Sequence, residues 1–183
     1  MGIEFRTATR GDRAALLGFY AQAVKDLAAT DNPCLWREGR YPLARDILPR
    51  LDAGSFVVAC RTGQEQHDAP GEEPGEIVAA AVLDRETDPA YATLKWEGRD
   101  WMAIHLLCVA ASVRRQGVAD RLMGELIARA RSGGADSIRL DVLVGNHPAR
   151  RLYARHGFTG RGVLQLQLED EEPLANQAME LLL

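Results

Sequence analysis

The stretch "VRRQGVADRLMGELIARA", Val113 to Ala130, follows closely on "AIHLLCV", Ala103 to Val109, which is almost wholly apolar. An apolar run of that length reads as a central strand. Val118, Ala119, Leu122, Met123, Leu126, Ile127 and Ala130 fall on one face of a helix. The chain therefore leaves a buried strand through Arg114, Arg115, Gln116 and Gly117 and enters a helix. A helix start leaves backbone N–H groups unpaired and carries roughly half a positive charge. Glycine lets an anion approach the backbone, and arginine adds planar, charge-assisted donors. Arg114 to Ala119 thus suits a phosphate or pyrophosphate, although Asp120 in the first turn offsets part of the dipole. The chain has no G-x-x-x-x-G-K-S/T loop and no G-x-G-x-x-G after a strand, which weakens a mononucleotide-binding reading.

Working outward, "IEFRTAT" alternates as an edge-type strand. "RGDRAALLGFYAQAVKDLAA" places Leu16, Leu17, Tyr20, Ala23, Val24 and Leu27 at helical spacing. "YPLARDILPRLDAG" predicts a second helix with Pro42 in its first turn, Gly54 past its end and a kink or break at Pro49. "SFVVACR" and "EIVAAAVLD" are short strands around a polar, Gly- and Pro-rich loop, Thr62 to Gly75. That loop contains His67, which carries no expected function. After Gly133-Gly134 comes the strand "SIRLDVLV". "NHPARRLYARHGF" reads as a short helix capped by Asn146 and stopped by Gly157. "FTGRGVLQLQL" and "AMELLL" form two last strands around the acidic loop "EDEEPLANQ". This order predicts one α/β domain over residues 1–183, a mixed, mostly antiparallel sheet of about six to seven strands with about four helices.

"HLLCVAASVRRQGVADRLM" resembles the acyl-CoA-binding core of the GNAT family of N-acetyltransferases. Arg114, Gly117 and Ala119 meet the family's Gln/Arg-x-x-Gly-x-Gly/Ala pattern. Asn146, Ala149, Leu152-Tyr153 and Gly157-Phe158 match a second motif, N-x-x-A-x-x-L-Y-x-x-x-G-F. The two motifs stand in the family's order with a strand between them. The resemblance implies acetyl-CoA as cosubstrate, with its phosphates at Arg114, Arg115, Gln116, Gly117, Val118 and Ala119. It also implies that the central sheet splays at a bulge. The freed edge at Leu107, Cys108 and Val109 would then pair with the pantetheine amides, as an extended peptide would.

Acyl transfer from a thioester to an amine needs a neutral amine, a donor for the developing oxyanion, a proton for the thiolate and aligned substrates. The resemblance makes Tyr153 the general acid and puts the oxyanion donor at the backbone N–H of Cys108 or Val109. Tyr153 also shares a helical face with Ala149, Leu152 and His156, as a core tyrosine would. Asn146 can cap its helix and contact pantetheine as well. An alkyl amine has a pKa near ~10.4, so a proton must pass to a base or to water. His105 is the candidate base, equally readable as a core histidine, and Glu97 is the weaker one. Trp36, Tyr41, Trp96 and Trp101 are candidate lining for an acceptor pocket, with Arg37 and Arg40 available to a carboxylate; core and surface roles remain open for them.

At 46% apolar and 26% charged residues the composition is that of a globular protein, and the formal charge of −4 disfavours a nucleic-acid binder that relies on bulk positive charge. No apolar run approaches the ~18 residues that would span a bilayer, and no signal segment is read at the N-terminus, so the expectation is a cytoplasmic protein without membrane partners. Cys34, Cys60 and Cys108 read as buried, reduced thiols, and no Cys/His spacing suggests a metal. The expected partner is a small-molecule or peptide amine, with room for a homodimer; a protein N-terminal or lysine acetyltransferase and a catalytically silent acyl-CoA-binding module are the alternatives. Because the Thr62–Gly75 loop reads as unpacked, replacing it with a tight Asn-Gly turn should leave the thermal midpoint and coenzyme A affinity nearly unchanged. A collapse in thermal stability would show that the loop packs.

Overall fold

The structure is a computed structural model that describes residues 2–31, 34, 36–62, 75–167 and 172–183. The elements are β1 (Gly2–Thr7), α1 (Arg13–Ala28), α2 (Ala44–Asp52), β2 (Phe56–Thr62), β3 (Ile77–Asp84), β4 (Trp101–Val109), α3 (Val118–Ser132), β5 (Ser137–Leu143), α4 (His147–Arg155), β6 (Thr159–Leu166) and β7 (Leu174–Leu182). The fold is α/β, with a seven-stranded mixed sheet in the order β1-β2-β3-β4-β5-β7-β6. β4 and β5 run parallel, whereas β1–β2, β2–β3, β5–β7 and β6–β7 are antiparallel. The residues divide into two compact units, and both β4 and α3 supply residues to each. No helix among the described residues is long and apolar enough to cross a membrane. Positions 63–74, with His67, lie outside the described residues.

The first unit holds Met1–Asn32, Trp36–Val82 and Leu106–Glu125. Phe56 to Cys60 on β2 and Ile77 to Val82 on β3 are buried without alternation, as expected of strands covered on both faces. α1 buries Leu16, Phe19, Tyr20, Ala23, Val24 and Leu27, the stripe its spacing predicts with Phe19 added and Leu17 only half-buried. α2 departs from expectation at both prolines. Pro42 precedes the helix, because Leu43 is its N-cap and donates its N–H to the Asp46 carboxylate at 2.7 Å. Pro49 sits inside the helix without ending it, since its ring removes only one intrahelical donor and its side is exposed.

The second unit holds Pro33–Leu35, Leu83–His105 and Leu126–Leu183. β5 pairs with β7 over seven residues, Ser137 to Leu143. β7 begins at Leu174, four residues before the expected Ala178, because Leu174 to Gln177 pair with β6 and lengthen the hairpin. Glu180, 1% exposed, accepts N–H bonds from Glu97 and Gly98 at 2.9 and 3.2 Å. Its oxygens also pair with Arg161 at 2.9 Å and Arg139 at 3.5 Å. That charge cluster fastens the segment before β4 to the β5–β7 pair. Cys60 and Cys108 are buried and Cys34 is half-buried; none of the three is in a disulfide.

The start of α1 is tied to β1 through a buried carboxylate. Arg6 donates to both Asp12 oxygens at 2.7 and 2.6 Å, and the Thr9 N–H donates to one of them at 2.7 Å. The hydrogen bond from Arg6 outweighs the cost of burial and holds the Asp12 carboxyl down to about 2. A carboxylate held below its unfolded value stabilises the fold above pH 4 and loses that contribution as pH falls through about 2. The contribution is about 2 kcal/mol. Urea unfolding of Asp12→Asn should therefore show lower stability at neutral pH and a flatter loss between pH 4 and 2 than the wild type. Identical acid limbs would assign the acid sensitivity elsewhere.

Candidate functional site

In the first unit the site begins where β4 stops being regular. Leu106 has φ 52, in the left-handed region that a leucine rarely enters. Its carbonyl accepts a hydrogen bond from the buried Tyr20 hydroxyl at 2.7 Å. Leu106 and Cys108 are buried, whereas Leu107 and Val109 are half-buried. The strand ends as the Ala110 N–H donates to the Val78 carbonyl at 2.9 Å.

A 3₁₀ turn at Ala111–Val113 leads into the basic stretch. Arg114 donates to the Val109 carbonyl at 3.2 Å and the Gln116 amide to the Ser112 carbonyl at 3.1 Å. Both side chains thus brace the turn that the sequence assigned to anion contact. Arg115 is exposed at φ 60 and has no side-chain partner among the described residues. Gly117 takes φ 76, and a Cβ there would meet nothing within 4 Å, so glycine is required by backbone conformation rather than by space. Val118 then opens α3, whose first N–H groups lack intrahelical acceptors. Arg121 secures this turn by donating to the Ile3 carbonyl at 3.0 Å and covering the Phe5 ring at 5.0 Å.

α1 and the α1–α2 connection enclose a cavity of about 220 Å³, lined by Leu17, Tyr20, Val24, Pro42 and Ile47, with Arg37 and Glu38 also in its wall. Trp36 and Tyr41 meet edge to face at 6.2 Å, and Trp36 also lies against Tyr20 at 5.8 Å. These two predicted acceptor-site aromatics come together in the first unit. The other two serve the second unit's charge cluster: Trp96 and Trp101 flank the Arg139 guanidinium at 4.6 and 4.8 Å.

The second unit carries the groups suited to proton transfer. Tyr153 is buried on α4, with Phe158 at 5.8 Å. Burial, with the Asp141 carboxylate adding to it, pushes its phenol well above the ordinary range, so it stays protonated. Asn146 accepts the Ala149 N–H at 3.2 Å and caps α4. The Nε2 atom of His105 lies 2.9 Å from the Glu86 carbonyl and 3.3 Å from Asp84 Oδ1. Both neighbours are acceptors, so in the neutral ring Nε2 carries the proton and Nδ1 keeps its lone pair. Glu97 is instead exposed and paired with Arg161 at 2.5 Å.

Three groups escaped the sequence reading. The parallel β4–β5 register covers Trp101 to Ala103 against Ser137 to Arg139. Two residues further along each strand stand His105 and Asp141, which share one face. Asp141 accepts the Tyr91 hydroxyl at 2.8 Å. Burial raises the Asp141 carboxyl, while that hydrogen bond and the nearby His105 oppose the rise. A charged residue inside "SIRLDVLV" was the available signal for it. Tyr91 and Tyr20 had none, as tyrosines at ordinary core spacing. Among the described residues no group of three His, Cys, Asp or Glu side chains is placed to hold a metal ion.

The sequence matches the family model described as the acetyltransferase (GNAT) family over residues 21–158. The chain belongs to the GNAT family. Its members' fold recurs in solved structures at low identity. A GNAT acetyltransferase of Streptococcus agalactiae superposes with TM-score 0.76 at 17% identity, covering 100% of this chain and 96% of that one. The Salmonella typhimurium protein yncA, solved with its cofactor acetyl-CoA, gives TM-score 0.67 at 18% identity over 100% and 94%. An acetyltransferase of Agrobacterium fabrum is 36% identical over 66 residues, 36% of this chain. That match spans 47% of the relative's length.

The anion contact expected of the basic turn has a direct test. In Gly117→Glu a residue with a Cβ must enter a left-handed conformation and a carboxylate is added where phosphate is expected. Calorimetric titration should show coenzyme A affinity reduced about tenfold or more. Equal affinity in the variant and wild type would remove this turn from cofactor binding.

Proposed function

We propose that the chain is an N-acetyltransferase that carries an acetyl group from acetyl-CoA to a primary amine of a small molecule or peptide, by direct attack of the amine. The observation that carries this reading is the sequence of β4 features in the first unit. The strand turns its Leu106 carbonyl inward and runs into an exposed arginine, a left-handed glycine and a helix start. On this reading the backbone of Leu107, Cys108 and Val109 pairs with the pantetheine amides. Arg115, assisted by Arg114 and Gln116 and by the N–H groups opening α3 at Val118 and Ala119, meets the phosphates.

Each proton then has a destination. His105 Nδ1 takes one proton from the ammonium, directly or through water, and the second proton leaves nitrogen to water as the tetrahedral intermediate collapses. The amine nitrogen bonds to the acetyl carbon, and the backbone N–H of Cys108 or Val109 stabilises charge on the carbonyl oxygen. As the carbon–sulfur bond breaks, the Tyr153 hydroxyl donates its proton to the sulfur, and His105 and Tyr153 return to their starting states by exchange with solvent. The Tyr153 hydroxyl supports this role because it holds its proton across the neutral range and is available to the sulfur. Asn146 orients the pantetheine arm besides capping α4. Trp36 and Tyr41 supply apolar surface to the acceptor, and Trp96 and Trp101 act through Arg139 and the segment it secures.

A catalytically silent acyl-CoA-binding module is the second reading, and the buried, protonated Tyr153 favours the enzyme over it. A screen of amines against acetyl-CoA, read by release of free thiol, separates the two. With an accepted amine, Tyr153→Phe should keep acetyl-CoA affinity while kcat falls by ~10²–10⁴, more than any change in KM. Wild-type kcat in that variant would remove Tyr153 from the mechanism, and tight acetyl-CoA binding without thiol release for any amine would favour the silent module.

A further inference from the structure

Tyr20 is 1% exposed and sits in an aromatic cluster with Phe19, Trp36 and Phe56, at ring separations of 5.2, 5.8 and 6.0 Å. A hydroxyl in such surroundings costs free energy unless it finds an acceptor. It finds the carbonyl of Leu106, eighty-six residues away in sequence, at 2.7 Å. Burial pushes the Tyr20 phenol well above its ordinary range, so the hydroxyl remains a donor.

Leu106 is the residue of β4 that abandons the extended conformation, at φ 52. A left-handed leucine is disfavoured relative to an extended one, so a compensating interaction must keep it there. In a regular strand the carbonyl of residue 106 would lie in the sheet plane and enter a ladder. Here it turns into the core and meets Tyr20, and the chain beyond it is re-aimed as at a β-bulge.

We propose that Tyr20 is a positioning residue for the cofactor. Its hydroxyl holds the Leu106 peptide in the left-handed form and so presents the backbone groups of Leu107 to Val109 to the pantetheine arm. This rests on the coenzyme A reading given above. Tyr20 touches no reacting atom in this role; it acts through one carbonyl. Removing the hydroxyl leaves that carbonyl buried without its donor, and Leu106 relaxes toward the extended region. The basic turn is braced separately, by Gln116 on Ser112 and Arg121 on Ile3. The phosphate end of the ligand is therefore insulated from Tyr20, and the pantetheine end is not.

The test uses two ligands that differ in the pantetheine arm. Coenzyme A and adenosine 3′,5′-bisphosphate are titrated into the full chain, wild type and Tyr20→Phe. The variant keeps the ring and its aromatic packing. Coenzyme A should bind about tenfold more weakly to the variant, while the bisphosphate keeps its affinity within about twofold. Unchanged coenzyme A affinity overturns the proposal. So does a parallel weakening of both ligands, which marks a general loss of packing. Amide hydrogen exchange in the ligand-free proteins gives a second readout. Exchange should quicken at Leu106–Val109 in the variant and stay unchanged in β2; equal protection at Leu106–Val109 also overturns it. A wild-type chain that binds neither ligand refutes the coenzyme A reading itself, whereas wild-type binding with an indifferent variant refutes only the role of Tyr20.

Discussion

The hydrogen bond from Tyr20 to the Leu106 carbonyl joins the first helix to the one residue of β4 that leaves the extended conformation. Much of the first unit converges on it. α1 is brought to its place by the buried Arg6–Asp12 pair at its start and by the apolar stripe that ends at Leu27. β2 and β3 are buried on both faces, so they offer no freedom to shift. Held this way, β4 changes character within one residue, and the basic turn that follows inherits a defined start from the Ala110–Val78 bond.

The second unit solves a different problem, the burial of charge. Glu180 gathers two backbone N–H groups and two guanidinium groups, and the Trp96 and Trp101 rings lie against one of those cations. A buried carboxylate is tolerable only when its oxygens are so fully satisfied. The consequence is that the segment before β4 cannot drift, and the strand enters its parallel pairing with β5 in a single register. His105 and Asp141 stand just past the end of that pairing, each already engaged by a polar neighbour: His105 by Glu86 and Asp84, Asp141 by Tyr91. The hydrogen-bond partners of both groups are thereby fixed by the fold. Preorganisation of this kind is worth more in a low-dielectric setting than the same groups would be in water.

Local chemistry was legible wherever a short stretch carries its own signal. The periodicities of α1 and α3, the Asn146 cap with Gly157 beyond α4, and the unbroken apolar runs of β2 and β3 all predict the elements found. The two motifs around Gly117 and Tyr153 suffice for the family. Boundaries were less legible where pairing decides them. β7 starts at Leu174 because β6 supplies partners, and α2 runs through Pro49 because one missing donor does not outweigh the rest of the helix.

The sequence by itself determined which residues are apolar or charged, where α3 and α4 begin, and that a glycine and paired arginines precede α3. These are properties of neighbours along the chain, and side-chain period and backbone propensity report them directly. Only the tertiary structure decided that Leu106 is left-handed, that the Tyr20 hydroxyl donates to its carbonyl, and that Asp141 lies beside Tyr91 instead of pairing with an arginine. It also turned Trp96 and Trp101 toward Arg139. The physical reason is that a buried polar atom must take the partner that long-range packing brings within about 3 Å, and a linear pattern holds no record of that distance.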